Sequence, residues 1–236
     1  MGRSTLREPN PAIMGFSNNT PIQNIHIGDR SSRITEPAVN FRTLTLDTHG
    51  NSHPSLAAEY AIYLEERDIN EKPEPFLTFR FRAAHPFDSL PDSHCGVFKT
   101  NLWQRDCGEF FLCNPATGRY LEVNLNPHGA WWAASFHAPR AKQSDEPFEN
   151  VHCSAASITD KESTSGVATW SATISIPLSA LEAVLESSIV NMTANVTAIL
   201  ATPNQIFLTA AALGGEQPDF HRPSDWLPIR VAGRPC

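Results

Sequence analysis

An antiparallel two-sheet β-sandwich of jelly-roll type, carrying one short helix, is the fold this sequence predicts. Three observations lead there. Apolar and polar residues alternate with period two in run after run from Phe41 onward. Turn-forming residues stand between the runs. The composition is rich in Pro (19) and poor in Gly (12), with only 18% charged residues in a chain of 236; soluble domains average about 25% charged. A sandwich of this length is commonly a single unit.

Residues 1–39 show no periodicity and carry Pro9, Pro11, Pro21, Pro37 and the Asn18-Asn19 pair. They predict a poorly ordered extension with one short strand near Ile22–Ile27. The sandwich is expected over 40–236. In FRTLTLD, Leu44 and Leu46 share a face. In EYAIYLEE, Tyr60, Ile62 and Leu64 align. In FLTFRFRA, Leu77, Phe79 and Phe81 oppose Thr78, Arg80 and Arg82. In CGEFFLC, Gly108, Phe110 and Leu112 oppose Glu109 and Phe111, and in RYLEVNLN, Leu121, Val123 and Leu125 oppose Tyr120, Glu122 and Asn124. WWAASFHA, TWSATISIP, IVNMTANVTAIL and QIFLTAAAL continue the pattern. Asn114-Pro115-Ala116-Thr117-Gly118 and Asn126-Pro127-His128-Gly129 read as hairpin loops, giving a meander over 107–138. The polar segment 139–165 reads as a long surface loop with one strand. Ser179 with Glu182 three residues on reads as a capping box opening a helix near 180–188, with Leu181, Val184 and Leu185 as its apolar stripe. A further hairpin follows, then a Pro-rich tail ending in Leu227–Val231.

Net charge is −7. Nucleic-acid binding calls for a basic stripe, so no nucleic-acid partner is expected. No apolar run reaches the length of a membrane span, and the first residues lack the apolar core of a secretion signal. No membrane association is expected. Five cysteines, an odd count, without such a signal point to reduced thiols and a cytoplasmic protein. His94-Cys95 and His152-Cys153 suggest zinc, but no metal-ligand spacing accompanies them, so buried or edge thiols are the expectation.

Two clusters are dense in chemistry-bearing residues. One runs from Leu102-Trp103-Gln104-Arg105-Asp106-Cys107 through Glu109, the Tyr120-Leu121-Glu122-Val123-Asn124 strand and Pro127-His128-Gly129-Ala130-Trp131. The other is Pro218-Asp219-Phe220-His221-Arg222-Pro223. The Leu-Trp pair, the Glu opening a Phe-rich strand, the Tyr-x-Glu-x-Asn strand and the late Pro-Asp-Phe-His segment together resemble the DOMON-like bacterial proteins, relatives of the family-9 carbohydrate-binding modules. The resemblance spans roughly 40–232. It implies a two-sheet sandwich whose concave face or rim holds a small ligand, often a sugar, and it implies binding roles for Trp103 and Glu109. The chain departs from the pattern at Gly108, where the family carries a larger apolar residue.

The residue types suit a sugar on their own chemistry. A pyranose offers an apolar C–H face and a rim of hydroxyls; a Trp face supplies contact area, and carboxylate or carboxamide oxygens accept from the hydroxyls. Trp103, Glu109, Tyr120, Glu122, Asn124, Arg80, Arg82, His221 and Trp226 are the candidate ligand-binding residues, with Trp226, Trp131 or Trp132 as the second aromatic wall. The expectation is non-catalytic binding of a carbohydrate or similar small polar ligand. Each residue has a bland alternative: Trp103 as a loop anchor, Glu109 in an ion pair with Arg80, Arg82 or Arg105, Asp219 and His221 as turn residues. A glycosidase using two of Asp106, Glu109 and Glu122 is the competing function. A haem-binding sandwich ranks last, with Met14, Met192 and the histidines as the available axial ligands. Calcium stays open through Asp106, Asp219 and Asp225, although no calcium-loop spacing is present.

Overall fold

Alternation builds strands here because each run can bury one face against a second sheet. The computed structural model describes residues 22–26, 41–44, 58–158, 169–213 and 219–232. Along it run β1 (Ile22–His26), β2 (Arg42–Leu44), β3 (Ala58–Ile69), β4 (Lys72–Ala83), β5 (Cys107–Cys113), β6 (Tyr120–Leu125), β7 (Trp131–Ala138), β8 (Ala141–Asp145) and β9 (His152–Ile158). Then come β10 (Thr169–Pro177), α1 (Leu178–Leu185), β11 (Thr193–Leu200), β12 (Ile206–Thr209) and β13 (Leu227–Ala232). The larger sheet has the order β1-β13-β11-β5-β6-β7-β8, with β12 also paired to β11. The smaller has the order β2-β3-β4-β10-β9. Pairing is antiparallel throughout except for β1, which joins β13 in parallel. The expected β-sandwich with one short helix is the fold observed.

The two sheets meet through Leu77, Phe79, Phe81 and Ile174 on one side and Phe110, Leu112, Val123 and Val196 on the other, all buried. Phe79 and Phe110 stack across the interface with ring centroids 5.5 Å apart. Gly108 faces this core. A methyl group at its Cβ position would lie 2.6 Å from Cγ of Phe81, so the Phe81 ring fills the space that any side chain at 108 would need. Gly108→Ala should therefore destabilise the protein by about 1–3 kcal/mol through overpacking. Urea denaturation checks this, and adding Phe81→Leu should recover part of the loss.

The hairpins form where the turn residues stand. Oδ1 of Asn114 accepts from Ala116 N at 3.0 Å, and Gly118 takes a left-handed φ of 74°. Oδ1 of Asn126 accepts from Ala130 N at 2.9 Å and His128 N at 3.1 Å, closing the next turn.

Two expectations are corrected. The helix begins at Leu178, so Ser179 sits inside its first turn and makes no cap; its hydroxyl donates to Glu74 Oε1 at 2.8 Å, and Glu182 accepts from Ile189 N at 2.9 Å. The helix C-terminus is instead satisfied from the β5–β6 turn, where Asn114 Nδ2 donates to Leu185 O at 3.0 Å. The supposed long loop after 138 carries two strands, β8 and β9, whose polar, small-residue composition hid them because both are sheet edges with one neighbour each. Within the 1–39 extension, the expected short strand forms as β1 at Ile22–His26 and joins the larger sheet; the rest of that extension lies outside the described residues, as do Leu46 and Pro218.

Candidate functional site

The larger sheet buries both of its faces. The face turned away from the smaller sheet is covered by the segments before β5 and after β12, and a second core forms there from Leu102, Phe111, Tyr120, Leu213, Phe220 and Trp226. This is why β5 and β6 are buried along their whole length. The covering is incomplete. A cavity of about 450 Å³ opens between the loops, within the size range of small-molecule sites.

Its floor is set by register. Glu109 on β5 lies opposite Asn124 on β6, and Phe111 lies opposite Glu122. Glu109, Glu122 and Asn124 thus share one patch of the sheet, as period two demands. Asn124 in turn faces Trp132 on β7. The lining comprises Glu109, Glu122 and His221 among the polar groups, Arg140 at the β7–β8 turn and Lys142 on β8, and the rings of Trp103, Phe111, Trp132, Phe136, Phe207 and Phe220.

Trp103 stands at the rim. Leu102 and Gln104 bound a short 3₁₀ turn; Leu102 anchors it in the second core, while Trp103 is 48% exposed, against 1% for Leu102. Gln205 Nε2 donates to the Trp103 carbonyl at 3.2 Å and ties the turn to the β11–β12 hairpin. Trp132 forms a second aromatic wall; its indole N–H donates to Asp145 Oδ1 at 3.0 Å, and the Lys142 ammonium lies 5.9 Å from its ring centre.

The carboxyls are held tightly and without strong basic partners. Oε2 of Glu109 accepts from the Thr197 hydroxyl at 2.7 Å, and the Cys107 thiol lies 3.9 Å from Oε1. Burial pushes the Glu109 carboxyl up to about 7, against the pull of Thr197. Burial and then the neighbouring Glu109 charge push Glu122 up to about 8. The same burial and acidic surroundings raise the Cys107 thiol well above its ordinary range.

His221 closes the cavity beside Glu122, with Nε2 at 3.7 Å from Oε2. Its Nδ1 is 2.7 Å from the Tyr120 hydroxyl, which accepts from Arg140 N at 3.0 Å. The phenol proton can donate to Nδ1, and in that tautomer the imidazole hydrogen stands on Nε2, toward Glu122. Burial, helped by the nearby Arg140 charge, lowers the imidazole pKa to about 4, so it is neutral at pH 7.

The predicted residues divide accordingly. Trp103, Glu109, Glu122 and His221 converge on one cavity. Tyr120 is fully buried and orients His221. Asn124 is fully buried on the same patch, and its carboxamide lies beside the Glu122 carboxyl, which it helps to hold. Trp226 is not a platform: it is buried against Tyr120 and Phe111 and donates to Phe220 O at 3.2 Å. Arg80 and Arg82 belong to the other sheet, on β4, facing away from the core; Arg82 pairs with Glu59 at 2.6 Å and covers Phe41. Alternation assigns a residue to a face but not to a sheet, which is why the two arginines fall elsewhere. Arg140, Lys142, Phe136 and Phe207 join the site without having been predicted. Only Phe136 had a usable signal, its place on the face shared with Trp132.

The proposed ion pair of Glu109 with an arginine does not form. Arg105 pairs with Asp88 at 3.0 Å. The three aspartates considered for calcium are scattered: Asp106 binds Thr202 N, Asp219 pairs with Arg140, and Asp225 pairs with Arg222. Among the described residues no three His, Cys, Asp or Glu side chains are grouped to hold a metal ion. The four described cysteines, Cys95, Cys107, Cys113 and Cys153, are free thiols; Cys236 lies outside the described residues.

No family model and no curated protein matches the chain. Among solved structures it is similar to a protein of Bacteroides uniformis named as a “putative carbohydrate-binding protein”, with a TM-score of 0.59 and 14% identity over 81% of this chain and 85% of that one. At that identity the likeness is one of fold: the two proteins share the same sandwich.

Proposed function

We propose that this protein is a DOMON-like relative of the family-9 carbohydrate-binding modules, and that it binds a carbohydrate in the cavity beneath Trp103. The observation that carries the reading is a half-exposed indole over a cavity whose floor offers buried carboxyls. An aromatic plate at the mouth and hydrogen-bonding oxygens at depth match the apolar face and hydroxyl rim of a sugar ring. The similar structure from Bacteroides uniformis, named for carbohydrate binding, supports the same ligand class. The free thiols fit a reducing compartment, the cytoplasm.

Tryptophan fluorescence, titrated with mono- and disaccharides, should report ligand entry. The Trp103→Ala variant should lose at least about 10-fold in affinity, the scale of a contact residue at a binding centre. Its stability should change by less than about 1 kcal/mol, because an exposed ring contributes little to the core. Unchanged affinity for every sugar that the wild type binds would rule out the site.

A catalytic reading is favoured by one observation: Glu109 and Glu122 are buried neighbours with carboxyl pKa values raised toward neutrality, the property of a general acid. Release of reducing ends from oligosaccharides, lost in Glu122→Gln, would establish that reading over simple binding.

A further inference from the structure

The floor of the cavity has a charge arrangement that a neutral sugar does not use fully. Glu109 and Glu122 sit diagonally across adjacent strands, with Asn124 completing the patch. Both carboxyls are nearly fully buried, at 3% and 5% exposed. Among the described residues no lysine or arginine forms an ion pair with either. The groups around them are a hydroxyl (Thr197) and a thiol (Cys107) on the Glu109 side, and an imidazole (His221) on the Glu122 side. The two cations in the lining stand at the rim and are already matched: Arg140 with Asp219 at 2.8 Å, Lys142 with Asp145 at 3.1 Å.

Two carboxyls buried side by side need a positive charge or a proton between them. His221 is held by Tyr120, and burial with the nearby Arg140 charge keeps its imidazole neutral near pH 7, so it supplies no positive charge. Arg140 acts on Glu122 only from the rim, where it is matched to Asp219, and the cavity opens directly beside the two carboxyls. The walls include the Trp103 and Trp132 indoles, rings of the kind that attract ammonium groups, and the Lys142 ammonium already lies 5.9 Å from the Trp132 ring centre.

We propose that the cavity takes a ligand carrying a protonated amine, an amino sugar, whose ammonium group seats between the Glu109 and Glu122 carboxyls while its ring lies against Trp103 and Trp132. This rests on the carbohydrate reading for the ring and goes beyond it for the charge. On binding, the ammonium replaces the proton that the carboxyl pair holds in the free protein, and that proton passes to solvent. The net charge of −7 favours encounter with a cation at long range. The other titratable groups facing the pair are Cys107, Tyr120, His221 and the rim pairs Arg140–Asp219 and Lys142–Asp145.

Isothermal titration of the full chain with glucosamine, N-acetylglucosamine, glucose and cyclohexylamine tests it. Each is run in phosphate and in HEPES, whose ionisation heats differ. Glucosamine should bind at least about 10-fold more tightly than glucose or the N-acetyl derivative, as for one well-placed charge-assisted contact. Its apparent enthalpy should differ between the buffers, reporting proton release. Its affinity should rise at least about 10-fold from pH 5 to pH 7, where the carboxyls begin to surrender their protons and the sugar's amine still keeps its own. Glu122→Gln and, separately, Glu109→Gln should abolish the preference for the amine. Equal binding of glucosamine and glucose overturns this inference and leaves the carbohydrate reading standing. Binding of cyclohexylamine but of no sugar upholds the amine site and overturns the carbohydrate reading. Binding of none of the four overturns this inference.

Discussion

Raising the pH from 5 to 8 should destabilise the wild-type protein by several kcal/mol, and the Glu109→Gln/Glu122→Gln double variant should escape most of that loss. A glutamic acid in the unfolded chain titrates near 4.5, whereas burial holds Glu109 up to about 7 and Glu122 up to about 8 in the folded state. Between these values the folded protein binds more protons than the unfolded one, so stability falls as pH rises. The stabilising contribution is complete below the unfolded value and is lost as pH climbs through the folded values. A tenfold difference in proton affinity between the two states corresponds to about 1.4 kcal/mol, so the pair accounts for a swing on the order of 5 kcal/mol. Glutamine has nearly the same shape and no such titration.

His221 works in the opposite direction. Its pKa is lowered from 6.5 to about 4, so its contribution is present at neutral pH and disappears as pH falls through that window. Two glutamates outweigh one histidine, so these three groups together place the greatest stability of the wild type at about pH 4 to 4.5, with a net decline above it. Removing both glutamates should move the optimum upward, because only the histidine is left to set the acid limb. Urea midpoints at half-unit steps would show it. Parallel pH profiles for wild type and double variant would mean that the two carboxyls are solvated in the folded protein.

Much of this arrangement is legible in the residues. Strict alternation puts Glu109 on the face opposite Phe110, and the Asn114–Gly118 turn makes β5 and β6 neighbours, so Glu109 and Asn124 have to lie close. They face each other in the register. Trp103, ahead of Glu109 by a short polar stretch, overhangs the cavity by the same logic. What alternation does not carry is the identity of the layer above each face. It predicts a polar outer face for β5 and β6, yet the segments before β5 and after β12 roof that face over, and only that tertiary fact makes Glu109 and Glu122 buried. The same gap explains Trp226, which reads as an exposed aromatic in a Pro-rich tail but packs on Tyr120. For Ser179 and Glu182 the spacing of a capping box is present, and a start two residues earlier, right after Pro177, removes its geometry.

Asp106→Ala should cost about 3 kcal/mol, more than any other single polar truncation near the site, and should weaken ligand binding without Asp106 touching the ligand. The carboxylate is fully buried. Oδ1 accepts from Thr202 N at 2.9 Å; Oδ2 faces Asp88 N at 3.4 Å and His85 Nε2 at 3.9 Å. One side chain thus joins three pieces of chain: the segment after β4, the start of β5 and the turn after β11. The last two matter for Trp103, because its 3₁₀ turn ends just before Asp106 and its carbonyl is held by Gln205 beyond Thr202. Truncation to Ala strands the Thr202 and Asp88 amides in a dry environment, and hydrogen bonds to a charged group are the strong kind. Asp106→Asn keeps one carbonyl oxygen for Thr202 and should cost only about 1 kcal/mol, with binding nearly intact. The pair of variants also separates structure from chemistry. If Asp106 served as a calcium ligand or as a glycosidase carboxylate, Asp106→Asn would abolish that activity while leaving stability almost unchanged. The clamp requires the opposite order, with function tracking the loss of stability from Asn to Ala.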